Sequence, residues 1–232
     1  MEFLYFLVYS LLYVSCLIVP TSACPGEDDK YKKLLIDKKL PSVLAIFTEI
    51  SPMFCSYECS KNNDCKGFAY NPSSKVCKHS EHSPFLVQEL VDDDAGFELF
   101  NDEDLRCRLD FTAHMAGPAP RTFTSPSYPS NYPNNINQFW LIVKPSKTST
   151  LRVRFDSFNT QFTVGCIKDI LMFYKGYCTD DPYLLTMCGY APANQLPVLT
   201  EATSLYVLVQ FVTDSSNDVS YSGFSLEYKI VS

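Results

Sequence analysis

TSPSYPSNYPNN, residues 124–135, holds three prolines, three serines and two tyrosines in one short stretch. Each proline fixes φ and withdraws a backbone donor, while Ser and Asn offer local turn hydrogen bonds. Helix and central strand are thereby excluded, and two large tyrosines do not suit a loose linker. On local chemistry alone the stretch is either an ordinary turn entering a β-domain or a shaped loop. The residues C-terminal to it decide. FWLIVK at 139–144 is a buried strand candidate, and DILMFY at 169–174 is another continuous apolar run. TLRVRFDSF at 150–158 alternates, with Leu151, Val153 and Phe155 on one face and Arg152, Arg154 and Asp156 on the other. SLYVLVQF at 204–211 and FSLEYKI at 224–230 alternate again, the latter turning Phe224, Leu226, Tyr228 and Ile230 inward. Period-two patterning broken by Pro, Gly, Asn and Ser turns predicts an antiparallel β-sandwich.

The order SPSYPSNYP, Trp140, Cys166-x-x-Asp169, Cys188-Gly189, TDSSN and Gly223-Phe224 resembles the CUB domain over residues 120–232. The resemblance implies a jelly-roll β-sandwich in which the opening dodecamer is the proline-rich loop leading in. It also implies a Cys166–Cys188 disulfide. Many members carry a second bridge whose cysteine immediately precedes the Trp; Phe139 stands there in this chain.

Six cysteines fall between residues 24 and 107 and three after 165, and that gap divides the chain. Ser51-Pro52 is a helix start, with Ser as N-cap and Pro at the first helical position. Cys55 and Cys59 then share one helix face, which can be stapled to Cys77 and Cys65. KNND at 61–64 ends the helix; GFAY at 67–70 and GFELF at 96–100 read as strands. The pattern C-x3-C-x5-C-K-G-F-A-Y, with Cys77 following and Cys24 and Cys107 enclosing, resembles the PAN/Apple module over residues 24–107. That family is a helix on an antiparallel sheet, and it implies Cys24–Cys107, Cys55–Cys77 and Cys59–Cys65. The fold expected is therefore mainly β: a small disulfide-stapled domain, a linker over 108–119, then the sandwich.

Residues 1–23 are apolar for most of their length and end in small residues, as a secretory signal peptide does, although Glu2 is atypical there. An uncleaved anchor is the competing reading. Cys16 would leave with the signal, so nine cysteines remain, and in a secreted chain they spell disulfides. Cys178 in KGYCTDD is left over by the implied pairings, either as an unpaired thiol or as an intermolecular bond in a disulfide-linked homodimer. The formal charge of −7, with Lys and Arg scattered, argues against nucleic acid and anionic membranes, and no later stretch is long and apolar enough to span a bilayer.

Candidate chemistry is sparse. His79 and His82 lack zinc-motif spacing, and the acidic run around Asp92–Asp94 lacks that of an EF-hand. No triad or metalloprotease motif surrounds the three histidines, so no enzyme is expected. PAN/Apple modules bind proteins or carbohydrates. Calcium-binding CUB domains use an early Tyr, a Glu, an Asp and an Asp-x-Ser-Asn loop, which correspond here to Tyr132, Gln161, Asp169, and Asp214 with Ser216 and Asn217. Gln161 replaces the Glu; its carbonyl can still ligate a hard cation, at the loss of one charge. The alternative keeps Tyr132 as a packed loop residue and the others as turn formers. The resemblance implies that Asp169 and Asp214 accept a partner's Lys or Arg in a calcium-dependent contact. The function expected is secreted, non-catalytic recognition of a protein or glycan; a matrix or adhesive component cross-linked through Cys178 is the other reading.

Overall fold

A computed structural model describes residues 31–87, 92–102, 109–215 and 220–231. Residues 1–23, read as a signal peptide, and Cys24, Cys107, Ser216 and Asn217 lie outside the described residues.

The first module is a five-stranded antiparallel sheet in the order β1-β5-β3-β4-β2, formed by β1 (Tyr31–Lys38), β2 (Ala45–Phe47), β3 (Gly67–Asn71), β4 (Val76–Ser80) and β5 (Asp93–Asp102). Across it lies α1 (Pro52–Ser60), which begins where the sequence places it: the Ser51 hydroxyl accepts the Phe54 N–H at 3.2 Å, and Pro52 occupies the first turn. This satisfies one of the donors orphaned at a helix start. α1 buries Cys55 and Cys59, which bond to Cys77 and Cys65 respectively. Both sides of the sheet are covered. Phe68 and Tyr70 face the helix and its sulfurs, while Ala69, Phe97 and Leu99 pack with Leu40 on the other side.

The second module is a sandwich. One sheet runs β11-β10-β14-β8-β6, from β6 (Phe111–Met115), β8 (Asn137–Val143), β10 (Ile170–Tyr174), β11 (Tyr183–Met187) and β14 (Tyr206–Val212). The other runs β12-β9-β15-β7, from β7 (Arg121–Thr124), β9 (Thr150–Asn159), β12 (Tyr190–Ala191) and β15 (Gly223–Val231), with β13 (Val198–Glu201) added along β9. Between them Trp140, Ile142, Val209 and Phe211 meet Val153, Phe155, Phe224 and Leu226. The region expected as a linker differs from that expectation: residues 111–115 form β6, which pairs parallel with β8. Its Ala113 is buried, and Phe111 and Met115 pack on an apolar cluster, so the segment gains more in the sheet than in water.

That cluster explains a contrast between strands. β9 alternates strictly because one face meets the core and the other meets solvent. β8, β10 and β14 are apolar on both faces, since Leu141, Val143, Tyr174 and Leu208 turn outward onto a second cluster. Leu86 and Val87 of α2 (Pro84–Val87) cover it from the first module, both at most 2% exposed. Polar contacts finish the seam. His82 Nε2 lies 2.8 Å from the Lys144 carbonyl and its Nδ1 2.8 Å from the Ser42 hydroxyl; the Ser83 N–H donates to the Tyr206 hydroxyl at 3.0 Å. The two modules are thus packed together through a buried junction.

Candidate metal centre

The opening loop, residues 124–135, owes its shape to specific bonds. The Ser125 hydroxyl accepts the Phe224 N–H at 3.0 Å, and Tyr128 accepts the Ser157 hydroxyl at 2.8 Å. Gly223, at φ +80°, permits this approach: a Cβ there would collide with Ser125 Oγ and fall 3.3 Å from the Tyr132 ring. Tyr132 itself is buried edge-on against Phe211 and stacked beside Tyr221. Its side chain is thereby driven to the rim of the sandwich, where the β9–β10 and β14–β15 loops also end.

There the Tyr132 hydroxyl donates to Asp169 Oδ2 at 2.5 Å and accepts the Gln161 N–H at 3.0 Å. The other Asp169 oxygen accepts the Asp214 N–H at 2.9 Å, and the Asp214 carbonyl accepts the Asn135 N–H at 2.7 Å. Tyr132, Gln161, Asp169 and Asp214 are therefore gathered at one rim, with Asp169 completely buried. Burial, reinforced by the bond to Asp169, holds the Tyr132 phenol far above its ordinary value, so it remains a neutral donor.

Two features bear on a cation. Gln161 is buried, yet its side-chain oxygen Oε1 has no hydrogen-bond partner among the described residues. A buried carbonyl left bare is costly, and the backbone of this residue meets the same Tyr132 hydroxyl that holds the Asp169 carboxylate. The Lys168 ammonium, which the motif does not include, lies 3.5 Å from Asp214 Oδ2. Its adjacency to Asp169 in sequence was the only signal for it. The donor set, all oxygen, fits a hard divalent ion; its charge is low, because Gln161 is neutral and Lys168 offsets Asp214. Around the cluster the β9–β10 loop is stapled by Cys166–Cys188 and exposes Phe162, Val164 and Ile167.

Other groupings resolve differently. Cys55, Cys77 and His79, and Cys59, Cys65 and His79, lie close together, but their sulfurs are in disulfides and cannot act as thiolate ligands. His79 Nε2 instead lies 3.0 Å from the Cys55 carbonyl. The acidic run is engaged by lysines: Asp93 with Lys38 at 2.6 Å, Asp94 with Lys78 at 2.8 Å and Glu98 with Lys33 at 2.7 Å. Cys178 departs from expectation. It is neither a free thiol nor an exposed one: it is disulfide-bonded and fully buried. Its backbone N–H is held by Asp181 at 2.9 Å, which draws the 176–181 turn inward. Its partner lies outside the described residues, where Cys16, Cys24 and Cys107 remain.

A family model for the CUB domain matches residues 113–228, and one for the PAN domain matches residues 34–104. The chain is 37% identical over 105 residues to embryonic protein UVS.2 of Xenopus laevis, covering 45% of this chain and 19% of that protein. It is 31% identical over 149 residues to human cubilin, covering 64% of this chain and 4% of cubilin. The chain thus spans less than a fifth of the length of these relatives. Among solved structures, the CUB1-EGF-CUB2 domains of rat MASP-1 match at TM-score 0.43 and 23% identity, over 51% of this chain and 42% of that one. The Ca2+-bound MASP-1 CUB2 domain matches at TM-score 0.40 and 20% identity, over 51% of this chain and 98% of that one. With its sandwich matched along half the chain, this protein belongs to the CUB domain family, and it carries a PAN domain ahead of the sandwich.

Proposed function

We propose that the protein is a secreted, non-catalytic recognition protein whose second module binds calcium at the Tyr132–Gln161–Asp169–Asp214 rim and offers it to a basic partner. The observation that carries this reading is the bare, buried Gln161 oxygen, on a residue whose backbone N–H meets the same Tyr132 hydroxyl that holds the Asp169 carboxylate. Gln161, Asp169 and Asp214 would hold the ion; Ser216 and Asn217, which the motif also names, lie outside the described residues. Calcium supplies a fixed divalent charge that orders the rim carboxylates. The protein's own contribution is to hold Asp169 by the Tyr132 hydroxyl and the Asp214 N–H, so one carboxylate edge is preset before any ligand arrives.

The partner contact is ionic. Lys168 already brings an ammonium to Asp214, so this carboxylate is open to a cation from the solvent side. A partner's Lys or Arg would compete for the same oxygen. Such a contact is salt-sensitive and individually modest, so useful affinity requires several copies. The matrix reading through Cys178 loses its support, because that sulfur is buried and already bonded.

A pull-down from extracellular fluid tests the reading. Partners should be retained in calcium, released by chelator, and lost with Asp214→Asn. Partners retained equally with chelator and with Asp214→Asn would contradict it.

A further inference from the structure

The outer face of the β9–β15 sheet gathers cations that are far apart in sequence. Arg152 stands directly opposite Lys229 in the antiparallel register, and Arg154 stands opposite Glu227. With Pro120 these residues line a groove of about 270 Å³. Arg154 is engaged twice, by Asp156 and by Glu227, each at 3.2 Å. Among the described residues neither Arg152 nor Lys229 has an ion pair. Like charges facing each other across a ladder destabilise the sheet. They do so here in a chain carrying a formal charge of −7, where acidic partners are plentiful. The pair is left open on a rigid strand surface.

We propose that this groove is an anion site for a sulfated saccharide chain. The guanidinium of Arg152 presents a planar fork suited to two sulfate oxygens, and Lys229 adds a mobile point charge beside it. Thr200, paired with Arg152 on its other side, places a neutral hydroxyl along the same row. A ligand sulfate relieves the Arg152–Lys229 repulsion, so binding and stability are coupled. The chain's disulfides belong to an oxidising compartment, where sulfated glycans are the prevailing polyanions. Nucleic acid is disfavoured, because the overall negative charge repels a long phosphate backbone beyond so short a groove. The site is separate from the calcium rim and does not rest on it.

The test uses the full mature chain and a heparin-derived oligosaccharide, with binding measured across a salt series. Arg152→Ser and Lys229→Ser should each weaken binding about tenfold and flatten its dependence on salt. Lys229→Glu should abolish binding, yet raise the melting temperature without ligand, since it converts the repulsive pair into an attractive one. Opposite movements of binding and stability separate a binding site from a folding defect. Unchanged oligosaccharide affinity in Lys229→Glu would overturn the proposal. So would inorganic sulfate competing as well as the oligosaccharide at equal sulfate concentration.

Discussion

Replacing His82 by Gln should remove much of the acid sensitivity of the module junction. His82 is fully buried, and its pKa is held below the ordinary value of 6.5 by that burial, against the raising effects of the Lys144 carbonyl and Glu81. The groups around it are Glu81 and Ser42 from its own module and Lys144, Lys147 and Tyr206 from the other. Because the folded pKa is depressed for a base, the unfolded chain binds the proton first. Stability is therefore complete well above pH 6.5 and falls as the pH drops through the unfolded value. The ordinary value of 6.5 caps the loss between pH 7 and pH 5 at about 2 kcal/mol for this residue. His79 and His114 are depressed in the same direction, also chiefly by burial, and form a background common to both proteins. Gln keeps an N–H for the Lys144 carbonyl but takes up no proton. Urea unfolding at pH 7 and pH 5 measures the difference: the parent should lose more stability than His82→Gln, within that cap. Equal losses in the two proteins would refute the reasoning.

Leu86→Ala empties a site that bridges the modules and should cost about 2–5 kcal/mol, read by urea unfolding, with the tertiary signal of Tyr206 changing alongside. Peptide mapping under non-reducing conditions should find Cys178 in a bridge to another cysteine of the same chain; a Cys178–Cys178 peptide would contradict the fold described. Removing that bridge with Cys178→Ser should destabilise the protein by about 2–5 kcal/mol in thermal or urea unfolding.

Much of the architecture is legible in local pattern. Ser51-Pro52 and the Cys55/Cys59 spacing fix α1 because capping and helical periodicity are local effects. The strict alternation of TLRVRFDSF gives β9 its two faces. The continuous run FWLIVK was legible as buried but not as doubly covered: what lies over Leu141 and Val143 is α2, and its PFLV is too short to announce itself. β6 escaped for a related reason, since a parallel partner in the middle of the sandwich leaves no turn signature nearby. At the rim, the motif named Tyr132, Gln161, Asp169 and Asp214, and three loops bring them together. Lys168 belongs to no pattern, and that the Gln161 oxygen is left bare was not legible either, because both depend on where loop backbones pass. The Arg152–Lys229 juxtaposition is equally invisible in one dimension: those residues are joined only by strand register.

Calorimetric titration of calcium into the full protein, beside Asp169→Asn and Gln161→Glu, tests the central claim most directly. Binding heat in the parent, loss of it in Asp169→Asn, and affinity raised by about tenfold or more in Gln161→Glu are the results expected of an oxygen cluster short of one negative charge. No heat in the parent and none in a folded Gln161→Glu would contradict the account, and would leave the rim as turn chemistry closed by Tyr132 and Asp169 alone.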